Sequence, residues 1–335
     1  MELKRKFVPT RRDKLKLSKV FDATWDGERV YVYSPEKLCI YDEGCNFITY
    51  QFIEYVEKIV IENGNEVVID FKNLKFITAA ASLLIFAKIS KCQICSKSPN
   101  SVDIKLPEDK DVKRTFTNSG LWHGIKPGGI GKIRKLIDTN NQYLSGSEQI
   151  VDNVGKIIPA TMLSLSQQGV KFSSPNTVIF TRGIQEAILN IKYHAYDKKV
   201  LPPNFDTLGS SRWWQCCWLD STRNNLVFII YDDGIGIAET LANIYEDIDS
   251  DHELIEKAMT IGVSQTQEVS RGKGSNDIIK SASVFPNSHL VIYSGNGYYK
   301  NDESGITTRK TAFKLKGTLV QWVLNYKDEN ANVNL

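Results

Sequence analysis

The chain has 335 residues, 41% apolar and 24% charged, which is the composition of a globular protein long enough for two domains with separate cores. No apolar run approaches the roughly 18 residues a membrane-spanning helix needs, and the start lacks the apolar stretch of a secretory signal, so no membrane partner is expected. The net charge of +3 is uneven: residues 1–19 carry eight Lys and Arg against Glu2 and Asp13, a basic arm of +6 that leaves −3 on the remainder. Such an arm could touch nucleic acid or an acidic partner, but no aromatics are interleaved as a single-strand stacking platform requires, so nucleic acid is not the expectation. Six scattered cysteines form no disulfide framework, which points to a reducing cytoplasm.

Taken in chain order, residues 30–32 alternate weakly and residues 50–61 carry helical apolar spacing through Phe52, Val56, Ile59 and Val60. The β-branched run 66–71 reads as a buried strand. Phe76 and Ile77 lead into an Ala- and Leu-rich helix from Ala79. Residues 102–106 form a short strand, and 112–118 a helix stopped at Gly120. This alternation predicts an α/β domain over residues 20–125. Residues 126–149, rich in Gly, Asn and Ser, are expected to be a linker. Gly131-Lys132 there does not make a phosphate loop, because Lys126 stands where the first glycine belongs and Ile133 replaces the required Ser or Thr.

The second half is expected to open with helices over about 150–168 and 174–195. A hairpin follows, from Arg212–Leu219 and Leu226–Tyr231 with a polar turn between them. Beyond a polar stretch come a helix over 277–284 and strands at 289–293 and 317–324. A polar tail, 327–335, follows.

On the helix 174–195, placing Ile184 at 0° puts Ile188, Ile191 and Ala195 within roughly 40° of it, while Glu186, Asn190 and His194 fall at about 200°, 240° and 280°. An apolar stripe thus faces the core and a separate polar stripe carries a carboxylate and a carboxamide one turn apart. That pair could serve a nucleophilic water and a magnesium ion, which takes hard oxygen ligands; alone, such a stripe is usually an ordinary solvated helix face. Residues 227–231 run into Asp232, then Gly234, Gly236 and Ile237. A carboxylate at a strand end, with glycines allowing close approach, suits a planar ligand with an amine edge. Adenine presents its amine there, whereas guanine presents an oxygen. Arg271, Gly272, Lys273, Gly274 and Ser275 precede a helix, a phosphate-binding arrangement of amides and positive charge.

These segments resemble the boxes of the GHKL ATPase superfamily, which includes gyrase, MutL, histidine kinases and anti-sigma-factor serine kinases. Residues 186–196 are similar to its N box, 232–236 to its G1 box, 271–277 to its G2 box, and Gly317-Thr318 to its closing strand. The resemblance covers about residues 150–326 and implies the Bergerat fold, an α/β sandwich of a mixed sheet with helices on one face. It implies ATP and magnesium as ligands, with Glu186 orienting or deprotonating the nucleophile and Asn190 holding the metal. Asp232 would read adenine, and Gly234, Gly236 and Ile237 would line the pocket beside His194. Arg271, Gly272, Lys273, Gly274 and Ser275 would cradle phosphate, Thr318 would bond near Asp232, and residues 238–270, including Gly262 and Ser264, would form a lid. Asn276 departs from the pattern, standing where many members have a third glycine.

Residues 20–125 resemble STAS domains, the fold of anti-sigma-factor antagonists, through 68–84 and the later 118–121. Thr78, Ala79, Ala80 and Ala81 occupy the place of the phosphoacceptor segment, so the usual serine hydroxyl is missing and protein binding is expected instead. Cys92 and Cys95 lack a second close-spaced pair for zinc. Residues 150–175 hold no histidine to act as the acceptor a sensor kinase would need, and His123 sits at the expected end of the first domain. The expectation is therefore a regulatory, magnesium-dependent ATPase with a protein partner, dimerising as such proteins often do. A serine/threonine kinase of the anti-sigma type and a non-catalytic nucleotide-switched scaffold are the alternatives.

Overall fold

The computed structural model describes residues 21–326, apart from 22, 28, 97, 148–150, 197–211, 221–223, 243 and 261–273. The fold is mixed α/β, and the chain divides into two compact units between Leu144 and Ser145. Among the described residues no helix is long and apolar enough to cross a membrane.

The first unit opens with strands β1 (Ala23–Asp26), β2 (Arg29–Tyr33) and β3 (Lys37–Leu38), then helix α1 (Asn46–Glu57), which continues as a π-helical turn, Lys58–Glu62. Strands β4 (Glu66–Asp70) and β5 (Phe76–Ile77) lead into α2 (Ala79–Cys95). Strand β6 (Val102–Lys105) and helices α3 (Lys110–Asn118), α4 (Leu121–Ile125) and α5 (Gly129–Asp138) follow. The sheet order is β1-β2-β4-β6, antiparallel at β1–β2 and parallel elsewhere, with β3 and β5 paired separately. Phe71, just past β4, packs edge-to-face on both Phe52 and Phe116, joining α1, the sheet and α3.

Thr78 caps α2, its hydroxyl accepting from Ala81 N at 3.4 Å. Helix α2 is buried on nearly every face, which an Ala- and Leu-rich sequence permits, yet it also buries Lys88 and Lys91, 1% and 2% exposed. Glu57 of α1 pairs with both, 2.6 Å from Lys88 Nζ, and Glu54 lies 2.9 Å from Lys88. Those two carboxylates bring charge of the opposite sign to the buried amines.

The stretch 126–149, expected as a linker, instead holds α5 and strand β7 (Tyr143–Ser147). Glycine concealed the helix: Gly128 and Gly129, with φ of 149° and 51°, make the turn into it, and Ile133, Leu136 and Ile137 are its buried face. Lys132 is buried as well, its Nζ donating to Gln93 Oε1 at 2.6 Å and Lys126 O at 2.8 Å. Burial, with the Lys126 charge beside it, pulls its pKa down to about 7.

The second unit contains helices α6 (Val151–Gln167) and α7 (Ser174–Asn190), the latter passing into a π-helical turn, Ile191–Ala195. Strands β8 (Arg212–Asp220) and β9 (Asn225–Asp232) form the expected hairpin. Helices α8 (Ile237–Ala242), α9 (Asp251–Met259) and α10 (Gly274–Lys280) precede a long ribbon of β10 (His289–Asp302) and β11 (Gly305–Asn325). The five strands run in the order β10-β11-β9-β8-β7, antiparallel from β10 to β8.

Phe228 of β9 faces Trp322 of β11 in register, and both rings meet Phe180 of α7. The Trp322 indole N–H donates to Ile278 O of α10 at 3.0 Å, and Gln215, on the same side of β8, donates to Thr161 of α6 at 2.7 Å. Strand alternation therefore puts α6, α7 and α10 against one face of the sheet, the face that also carries Asp232 and Thr318.

Candidate functional site

Helix α7 starts where the sequence places it. Ser173 accepts from Asn176 N at 3.4 Å, and Pro175 occupies the first turn, where its missing N–H costs nothing. Ile184, Ile188, Ile191 and Ala195 are all buried, so the polar stripe is turned away from the sheet, with Asn190 and His194 exposed and Glu186 half-buried. Burial and the neighbouring Asp277 carboxylate raise the pKa of Glu186. Gly274, first residue of α10, lies against that carboxylate: a Cβ there would sit 2.6 Å from Glu186 Oε2. The segment after β9 and the end of α7 are likewise adjacent, for Ile235 N donates to Ala195 O at 2.8 Å.

Asp232 ends β9 with 3% of its surface exposed. Its Oδ1 accepts from Gly234 N at 2.9 Å, and Thr318 stands opposite it in register on β11. Burial, abetted by Asp233, pushes its pKa up to about 7, against the pull of the Gly234 and Thr318 amides. Among the described residues no lysine or arginine pairs with Asp232, whereas Asp233 beside it has Lys316 Nζ at 3.4 Å and the Tyr231 hydroxyl at 2.9 Å.

Ser294 on β10 completes the cluster, and sequence reasoning missed it. Its Oγ accepts from Ile237 N at 2.8 Å, donates to Gly317 O at 3.0 Å, and lies 3.3 Å from the Thr318 hydroxyl. The available signal was periodicity: Ser294 follows Leu290 and Ile292 on one face of β10, a polar residue fully buried on an apolar stripe.

The glycines of this region sit in close contact with the protein's own atoms. A Cβ on Gly234 would collide with Ala195 O, and one on Gly317 with Asp232 O. Gly236, at φ 88°, would bring a Cβ to 2.7 Å from Ser294 Oγ. Within the stretch expected as a lid, the described residues up to Thr260 carry helices: Ala238, Leu241 and Leu254 form a small core, and Asn296 N donates to Asp251 Oδ2 at 2.6 Å, seating α9 on β10. Apolar residues at helical spacing in 237–258 carry this packing, hidden by the acidic run between them.

Ser275 lies half-buried in the first turn of α10. Arg271, Gly272, Lys273, Gly262 and Ser264 lie outside the described residues, as do the basic arm and the 327–335 tail. Among the described residues no group of three or more His, Cys, Asp or Glu side chains is placed to hold a metal ion. No protein-family model matches the chain, and no curated protein matches it.

Proposed function

We propose that the second unit binds ATP with magnesium and hydrolyses it as a Bergerat-type, GHKL-like ATPase, while the first unit is a STAS-like module that meets a protein partner in the cytoplasm. The observation that carries the reading is Asp232: a buried carboxylate with no cationic partner among the described residues, at a strand end joined to the helix of Glu186 and Asn190. An ionised carboxylate accepting from an exocyclic amine gains about 1.5–3 kcal/mol, and it repels a guanine oxygen at the same place. The ligand amine would add a donor to those of the Gly234 and Thr318 amides, and Thr318 and Ser294 hold the strand ends beside it.

Glu186, with its raised pKa, can hold or take a proton of the attacking water. Asn190 offers the hard oxygen that magnesium accepts, and a bound magnesium ion neutralises charge on phosphate oxygens. Gly274 and Ser275, with Arg271, Gly272 and Lys273 before them, would receive the phosphates at the start of α10. His194 would stand at the rim. Positioning and charge stabilisation supply the rate, as phosphoryl transfer generally requires.

The test is phosphate release by purified protein with magnesium and ATP. Release should be abolished in Glu186→Ala while nucleotide is still retained. Absence of release together with labelling of a protein in cell extract would replace hydrolysis by serine/threonine kinase activity. Equal thermal stabilisation by ATP and ADP without turnover would leave a nucleotide-switched scaffold.

A further inference from the structure

Two hydrogen bonds join the C-terminal end of the helix bearing Glu186 and Asn190 to the loop that follows Asp232. Carbonyls in the last turn of a helix have no partner within it. Ala195 O, closing the π-helical turn, is taken by Ile235 N at 2.8 Å. The next residue, Tyr196, directs its hydroxyl back across the same loop, accepting from Asp233 N at 3.2 Å and donating to Arg212 O at the start of β8 at 2.6 Å. Burial, with the Asp232 and Asp233 charges, raises the Tyr196 pKa, so the hydroxyl keeps the proton it donates. Gly234 fits only because it has no Cβ to strike Ala195 O. A π turn inserts an extra residue into a helical turn and is often found at functional sites; here it delivers both Ala195 O and the Tyr196 ring to one loop.

We propose that Tyr196 is a positioning residue, whose hydroxyl fixes the helix carrying the polar stripe against the loop that follows Asp232. The nucleotide then meets a preset spacing between its base end and its phosphate end. The effect on turnover rests on the ATP reading; the latch itself does not.

Two measurements separate those layers. By amide hydrogen exchange in Tyr196→Phe, Asp233 and Ile235 should exchange roughly five- to tenfold faster, the loss of about one hydrogen bond. The exposed control Tyr193→Phe should leave them unchanged. In the wild-type protein, whatever the fate of the variant, Asp233, Ile235 and the amides of the 191–196 turn should open together with equal protection. Unequal opening, or unchanged exchange in a folded Tyr196→Phe protein, overturns the latch. With magnesium and ATP, kcat of Tyr196→Phe should fall about tenfold or more, since small misplacements cost that much, while ADP affinity stays within about threefold. Unchanged kcat, or an equal loss of kcat and ADP affinity, overturns the positioning role. A wild-type protein without turnover defeats the ATP reading instead, and the exchange data still decide the latch.

Discussion

Two buried charged sites, the lysines of α2 in the first unit and Asp232 in the second, are handled in opposite ways. In the first, Lys88 and Lys91 of α2 lie deep in the protein beside the carboxylates of Glu54 and Glu57, so the charge is balanced on the spot. In the second, Asp232 is buried just as deeply with backbone amides for company, and the nearby Lys316 goes to Asp233. A balanced buried charge holds a fold together. An unbalanced one costs stability, and such sites are where function is found.

The contrast should appear as opposite signs on mutation. Glu57→Ala removes the carboxylate shared by Lys88 and Lys91 and should cost about 3–5 kcal/mol, read as a lower urea midpoint. A neutral result would show that the cluster is not structural.

Asp232→Asn should stabilise the nucleotide-free protein at pH 8, by on the order of 2 kcal/mol. The pH dependence fixes the sign. With its folded pKa raised to about 7 from an ordinary value of 3.8, Asp232 binds more protons folded than unfolded between those limits. Wild-type stability therefore falls as pH rises from about 4 to 7, and the gap to Asp232→Asn should open over the same window. A variant less stable than wild type at pH 8 would make Asp232 another structural group.

The smallest effect is expected at the surface. Arg29 and Glu66 pair at 3.0 Å with both side chains well exposed, and Arg29→Met should change stability by less than about 1 kcal/mol. A larger loss would mean that exposed pairs matter here as much as the buried cluster.

Much of this was readable in advance. The β-branched run at β4, the apolar stripe through Ile184 and Ile188, and the hairpin ending at Asp232 each follow from local period and composition. What escaped was set by contacts between distant segments. Strands β10 and β11 were expected only at 289–293 and 317–324. The ribbon beyond them is interrupted by Gly295 and Gly297, where its register shifts, and no local pattern announces it. Ser294 and Tyr196 are equally invisible as site residues, because their roles depend on backbone groups that reach them from other elements. The glycines were correctly singled out for close approach, but sequence alone does not say what approaches.

The central claim is that Asp232 selects an adenine nucleotide, and its most direct test is a magnesium-dependent binding titration with ATP, ADP and GTP, on wild type and Asp232→Asn. ATP and ADP should bind and GTP should not, with affinity weakening as pH falls below about 7 because the ligand bonds to the ionised carboxylate. Asp232→Asn should lose roughly ten- to a hundredfold in ATP affinity. Equal affinity for ATP and GTP, or an unaltered affinity in the variant, would contradict the account.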